Sequence, residues 1–105
     1  MNKVGGYTAS QIPFIIRQLL YAISNLHSHA RIHRDVKLEN VLVDTIDPVL
    51  GPRVKLSNFG FAKDTVEGQE EKVVVGTRMY MAPELVRKSG YDEKVDIWAV
   101  GVVAY

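Results

Sequence analysis

The chain contains no cysteine, which excludes disulfides and thiolate metal sites and is compatible with a reducing compartment. No apolar run approaches the ~20 residues that a bilayer-spanning helix needs. The opening Met1-Asn2-Lys3-Val4-Gly5-Gly6-Tyr7 lacks the apolar stretch of a secretory signal, and no Asn-x-Ser/Thr glycosylation acceptor occurs. Neither sign of charge is in excess: 13 Lys and Arg against 12 Asp and Glu leave a net charge of +1. Such a balance exerts no global pull towards nucleic acid or membrane, so neither is expected as a partner. An intracellular, cytoplasmic location is the expectation. Between Thr65 and Thr77 there is no Ser, Thr or Tyr, so that stretch offers no hydroxyl for phosphorylation.

What is present is ordinary for a globular domain: 105 residues, 47% apolar and 24% charged. That length allows one domain, burying roughly two thirds of its unfolded surface. Val95 to Tyr105 form an apolar helical pattern that stops without Gly, Asn or a basic cap, which leads to the expectation of a piece of a larger domain.

Ile12, Ile15, Ile16, Leu19, Leu20, Ile23 and Leu26 recur at the three-four spacing of an amphipathic helix, predicted from about residue 9 to His29. Thr8 with Gln11 could form a capping box, although Ser10 as N-cap better places Pro13 in the first turn. Val41-Leu42-Val43 and Val54-Lys55-Leu56 read as two short strands. Asp44 to Arg53, with its Asp47-Pro48 and Gly51-Pro52 turn signals, reads as an unusually long hairpin loop. Periodicity vanishes from Phe61 to Val75, and Glu67-Gly68-Gln69-Glu70-Glu71-Lys72 is polar enough for a mobile loop. Ala82 to Val86 open a short helix with Pro83 near its start. Asp92 is a candidate N-cap for a last helix carrying Val95, Trp98, Ala99, Val102 and Val103 inward.

The densest chemistry lies in His33-Arg34-Asp35-Val36-Lys37-Leu38-Glu39-Asn40. A carboxylate, an ammonium two residues on and an amide oxygen suit an oriented hydroxyl, a neutralised phosphate and a hard cation respectively. Singly, Asp35 and Lys37 would read as an exposed ion pair and Asn40 as a turn residue. Asn58-Phe59-Gly60 and Ala82-Pro83-Glu84 follow in order, and the three motifs together give the functional reading its weight.

In that order the motifs resemble the catalytic loop, metal loop and activation-segment end of eukaryotic protein kinases. Lys37 after Asp35, with Leu38-Glu39-Asn40, resembles the serine/threonine type. Asn58-Phe59-Gly60-Phe61-Ala62-Lys63 with Tyr91-Asp92 and Asp96-Ile97-Trp98 looks most like the calcium/calmodulin-dependent group. The resemblance covers nearly the whole chain and implies an α+β, mainly α fold. Residues 1–105 would be a partial C-terminal lobe made of helix, catalytic loop, short β-hairpin, activation segment and central helix. The N-terminal lobe and last helices would be absent.

The resemblance further implies ATP and Mg²⁺ as cofactors, a protein substrate, and a missing N-terminal lobe as structural partner. Asp35 and Lys37 would be catalytic. Lys37, Glu39, Asn40, Leu42 and Asn58 would meet the nucleotide or its metal, with Asn40 and Asn58 as metal ligands and Leu42 as a floor under adenine. Arg34, Glu39, Gly76 and Thr77 would serve substrate binding or regulation, Thr77 by bonding Asp35 and Lys37. His33, Phe59, Gly60, Glu84 and Asp96 would be structural: His33 stacks on Phe59, Asp96 holds the backbone at His33-Arg34, and Glu84 awaits an Arg beyond Tyr105. With no phosphorylatable residue nearby, Glu70 or Glu71 would pair with Arg34.

One letter departs from the pattern. The metal loop of the family opens with Asp, and here it opens with Asn58, which keeps an oxygen but removes a charge from a hard cation's shell. Removing a comparable preorganised charge costs ~10²–10³ in turnover. The readings left open are a pseudokinase scaffold or binding module, an active enzyme with another acidic ligand or weaker metal binding, and an isolated variant in a truncated copy. No Gly-x-Gly-x-x-Gly loop or strand-borne Lys precedes the segment, so the 105 residues alone are expected to show no kinase activity.

Overall fold

The computed structural model describes residues 2–3, 11–66, 69–87 and 90–105. Thr8 and Ser10, the capping candidates before the first helix, lie outside the described residues, as do Glu67 and Gly68. The described elements are β1 (Asn2–Lys3), α1 (Ile12–Ser28), β2 (Arg31–Ile32), β3 (Val41–Asp47), β4 (Gly51–Leu56), β5 (Lys63–Asp64), α2 (Pro83–Val86) and α3 (Lys94–Ala104). They form an α+β lobe with one antiparallel sheet of order β1-β3-β4 and a second pairing β2 with β5.

Helix α1 starts with Pro13 in its first turn, where the missing N–H has no intrahelical partner to lose. It buries Ile15, Leu19 and Ile23, a stripe at four-residue spacing. Ile12 and Leu20, counted with that stripe in the sequence, lie on its exposed flank instead. The helix ends where Ala30 enters the left-handed region at φ 57° and its N–H bonds His27 O. A non-glycine residue there costs ~1–2 kcal/mol, which the fixed chain direction into β2 must offset.

The hairpin corrects the sequence reading. Strands β3 and β4 pair from Val41↔Leu56 as far as Asp47↔Gly51, so Asp44 to Arg53 is mostly ladder rather than a long loop. Asp47 closes the turn: its Oδ1 accepts from the amides of Val49 and Leu50, both at 2.8 Å. Gly51 then takes φ +107°, which a side chain would resist. A register shift between Val43 and Thr45 absorbs one residue as a bulge. The free edge of β4 is met by Gln18, which accepts from Val54 N and donates to Pro52 O, both at 2.9 Å.

Two apolar clusters form the core. Leu19, Ile23, Val36, Val41, Ala99 and Val100 make one, where α1 and α3 meet the hairpin. Ile32, Ala82, Leu85, Tyr91 and Val95 make the other. The segment His33 to Lys37 runs between them, with Ile32 sunk in one cluster and Val36 in the other. Each fully buried aliphatic contributes about 1.5–3 kcal/mol, so the loop between is anchored on both sides by packing.

The N-cap of α3 is Glu93 rather than Asp92; Asp92, one residue earlier, accepts from Lys94 N through Oδ1 at 3.0 Å. Trp98 does not turn inward; it is 48% exposed, beside exposed Ile97, while Val95, Asp96, Ala99 and Val100 take the buried face. The stretch Phe61 to Val75 is less free than its composition suggested. Lys63–Asp64 pairs with Arg31–Ile32, and Glu71 forms a backbone bridge with Tyr91.

Candidate active site

Asp96, 1% exposed on α3, organises the catalytic run from beneath. Its Oδ2 accepts from His33 N at 2.8 Å and faces His27 Nε2 at 3.0 Å, while Oδ1 accepts from Arg34 N at 2.9 Å. Three donors on one carboxylate satisfy a group that burial would otherwise penalise heavily. They also hold Arg34 in the left-handed region at φ 70°.

His33 is fully buried, and its two ring nitrogens are both used. Nδ1 receives the Asp35 amide at 3.1 Å, and Nε2 lies 3.0 Å from the Ser57 carbonyl oxygen. An amide N–H needs an acceptor and a carbonyl needs a donor, so the proton sits on Nε2. Phe59 meets the ring edge-on at 5.0 Å and 65°, while remaining 47% exposed. His33 thereby links the catalytic loop to the Asn58-Phe59-Gly60 segment.

Above this support the polar side chains converge. Asp35 is 6% exposed. Its Oδ1 accepts from Thr77 Oγ1 at 3.1 Å, and Thr77 Oγ1 in turn accepts from Lys37 Nζ at 2.9 Å. Lys37 Nζ lies 4.0 Å from Asp35 Oδ2. Asn40, on a single 3₁₀ turn, donates from Nδ2 to Asp35 O at 2.8 Å and to Oδ2 at 3.4 Å. Gly76 lets the chain pass: at φ +110° a Cβ there would fall 2.5 Å from Arg34 O. Asp35, Lys37, Asn40 and Thr77, separated by up to 42 positions, thus share one cluster.

The other predicted residues are placed less closely. Leu42 is half-buried and, by strand alternation, faces away from buried Val41 and Val43. Glu39 is exposed. Asn58 is exposed at φ 59°, and its Oδ1 accepts from Gly60 N at 3.4 Å. Glu84 is half-buried on α2 and forms no ion pair among the described residues.

The expected pairing of Arg34 with Glu70 or Glu71 is not what the structure holds. Arg34 Nε donates to Phe61 O at 2.7 Å and Nη1 to Tyr91 Oη at 3.1 Å. Glu71 is taken by Lys63, with Nζ 2.6 Å from Oε2, because β5 brings that ammonium alongside. Glu70 is exposed. The sequence reading also missed His27 and the Tyr91 hydroxyl. His27 meets Asp96 across 69 positions, a separation that no local pattern announces.

A donor set for magnesium can be tested on these side chains. Asn40 spends its Nδ2 on Asp35, and its Oδ1 accepts no hydrogen bond among the described residues. Asn58 adds a second amide oxygen. Both are hard, neutral donors, and no group of three or more His, Cys, Asp and Glu is assembled for a metal among the described residues. Such a set fits a Mg²⁺ ion shared with phosphate oxygens, not a closed protein cage.

The α+β architecture, with Asp35, Lys37, Asn40 and Thr77 gathered on a loop braced from below, is consistent with part of a protein kinase lobe. The chain belongs to the protein kinase domain family, whose pattern it matches over residues 1–105. It is 45% identical over 92 residues to mouse (Mus musculus) "Serine/threonine-protein kinase D3", covering 88% of this chain and 10% of that protein. It is 43% identical over 97 residues to "Serine/threonine-protein kinase CLA4" of Eremothecium gossypii, covering 91% and 12%. Against "Serine/threonine-protein kinase pakB" of Dictyostelium discoideum the identity is 40% over 96 residues, covering 90% and 11%. The chain therefore spans about a tenth of the length of these relatives. They support a eukaryotic serine/threonine kinase domain; the narrower placement with calcium/calmodulin-dependent kinases is not confirmed.

Proposed function

We propose that this chain forms the catalytic-loop lobe of a serine/threonine protein kinase, and that the protein carrying it phosphorylates Ser and Thr hydroxyls of other proteins. The observation that carries the reading is the Asp35–Thr77–Lys37 cluster. Phosphoryl transfer needs little covalent help from the protein and much positioning. Asp35 is the group to orient the substrate hydroxyl and take its proton as the oxygen–phosphorus bond forms. Lys37 offsets charge on the transferring group. Thr77, bonded to both, narrows the space beside Asp35 to a short aliphatic hydroxyl.

ATP supplies the γ-phosphoryl group and leaves as ADP; Mg²⁺, when bound, neutralises its phosphates. Asn40 and Asn58 are the residues to hold the ion, with Lys37 and Glu39 beside the nucleotide and Leu42 beneath its base. Arg34 and Gly76 carry the segment that presents Thr77. A second, N-terminal lobe would cover the nucleotide, and an intracellular, cytoplasmic location follows from where ATP and protein substrates meet. The scaffold reading gains no support from the relatives, each of which is named a serine/threonine kinase.

The test uses the full-length protein with γ-labelled ATP, Mg²⁺ and a Ser/Thr peptide library. Transfer to hydroxyls, abolished by Asp35→Asn, is expected; an unlabelled library with intact protein would sink the reading. Asn58→Asp, which the left-handed backbone tolerates, is expected to raise Mg²⁺-dependent turnover ~10²-fold. Equal turnover of the two would show that charge at position 58 is not limiting.

A further inference from the structure

Tyr91 sits 2% exposed in the cluster with Ile32, Ala82, Leu85 and Val95. Burying its ring alone would be served as well by Phe, and burying a hydroxyl is costly unless it is hydrogen-bonded. Here the hydroxyl is used twice. It accepts from Arg34 Nη1 at 3.1 Å and bonds the Val73 carbonyl oxygen. A guanidinium can only donate, so the hydroxyl proton must point to Val73. The positive partner on one side strengthens the donation on the other.

The backbone of the same residue bonds Glu71 in both directions, each at 2.9 Å. Tyr91 therefore grips the segment at residue 71 through its main chain and at residue 73 through its hydroxyl. Just beyond, Gly76 crosses against Arg34 O and Thr77 bonds Asp35. The stretch from Val73 to Thr77 is pinned at both ends, with Arg34 and Asp35 of the catalytic loop contacting the two pins. No Ser, Thr or Tyr lies between Thr65 and Thr77, so no phosphate can be placed there to order it. Order must come from fixed groups.

We propose that Tyr91 is a positioning residue: its hydroxyl ties Arg34 to Val73 and thereby sets Thr77 against Asp35 without any added charge. The proposal rests on the kinase reading above for its catalytic consequence, but not for its structural one. Lys63–Glu71 acts alongside it by fixing the start of the same segment.

The test is Tyr91→Phe in the full-length protein, a change that keeps the buried ring and deletes only the relay. Amide hydrogen exchange at residues 71 and 91, whose N–H groups bond each other's carbonyls at the grip, is expected to quicken about tenfold, the loss of one modest hydrogen bond, while amides in α1 hold their protection. Turnover of a Ser/Thr peptide is expected to fall about tenfold in kcat per folded molecule with KM for ATP unchanged, the folded fraction being read by circular dichroism in the same samples so that partial unfolding is not mistaken for the effect. Wild-type exchange at residues 71 and 91 in Tyr91→Phe overturns the proposal, whatever the activity. Absence of transfer by the wild-type protein sinks the kinase reading alone, because the exchange measurement still decides the role of Tyr91. Faster exchange with unchanged kcat refutes the catalytic half.

Discussion

Asp96→Asn tests whether the catalytic loop is held from below. The wild-type carboxylate takes Arg34 N on one oxygen, and His33 N and His27 Nε2 on the other. An amide can keep only one acceptor. In its better orientation Asn retains the oxygen facing His33 and His27, and turns its NH₂ towards the Arg34 amide, donor against donor. Leaving a buried N–H unsatisfied costs ~1–3 kcal/mol, and the two surviving bonds weaken by about half once the charge is gone. The amide is cheaper to bury than the carboxylate, which returns part of the loss. The net expectation is ~2–4 kcal/mol, a large fraction of the ~5–15 kcal/mol that holds a domain together. At ~4–8 °C per kcal/mol for a domain of about 100 residues, the melting temperature should fall by ~8–32 °C. Circular dichroism at 222 nm would read the shift. Asp92→Asn is the control, since the Asn Oδ1 can still accept from Lys94 N. A shift for Asp96→Asn no larger than the control's would refute the claim that this carboxylate braces the loop.

Two further outcomes follow from the same contacts. Asp47 has its carboxyl held below the usual value of 3.8 by hydrogen bonds from Leu50 N–H and then Val49 N–H. A depressed folded value means stabilisation present above 3.8 and lost as pH falls through the folded value. The stability gap between wild type and Asp47→Ala should therefore stay constant near neutrality and close in acid, as urea titrations at several pH values would show. A gap that widens in acid contradicts this. Ile23→Ala empties a fully buried position between α1 and α3 and should cost ~2–5 kcal/mol, whereas Ile12→Ala, on the exposed flank, should cost under ~0.5 kcal/mol; equal losses by denaturant unfolding would mean the core lies elsewhere.

The parts of the fold that were legible in the sequence are those fixed by neighbours along the chain. The α1 stripe and the Pro83 turn depend on residues a few positions apart, and each catalytic motif is itself a short string. The α+β class came with the resemblance to protein kinases that the motifs carry. The hairpin was under-read because Asp47 closes its turn with a side chain, and two prolines in the stretch looked like loop. Trp98 was assigned inward on hydrophobicity, yet the helical phase gives the buried face to Asp96, whose value lies in donors 62 and 63 positions away. In the site, Asp35, Lys37 and Asn40 were legible as a string. That Lys63 would claim Glu71, leaving Arg34 to a tyrosine hydroxyl, depended on β2 and β5 pairing, which four residues with no periodicity do not announce.

These long-range contacts also bear on how the neutral residue in the metal loop should act. The positions of Asp35, Lys37 and Thr77 are set by Asp96 beneath, by His33 through its two ring nitrogens, and by packing at Ile32 and Val36. None of those contacts passes through the side chain of Asn58, which is exposed and bonds only its neighbour Gly60 among the described residues. Asn and Asp both tolerate the left-handed backbone found there. Replacing one by the other therefore changes charge near the phosphates while leaving the geometry of the proton-accepting cluster in place. On the proposed reading, proton acceptance and hydroxyl selection would belong to a loop braced through the core, and metal affinity to a surface position that can vary without disturbing it. If the proposed metal role holds, Asn58 would lower the rate by weakening the hold on the ion, and the fold has no reason to register the change.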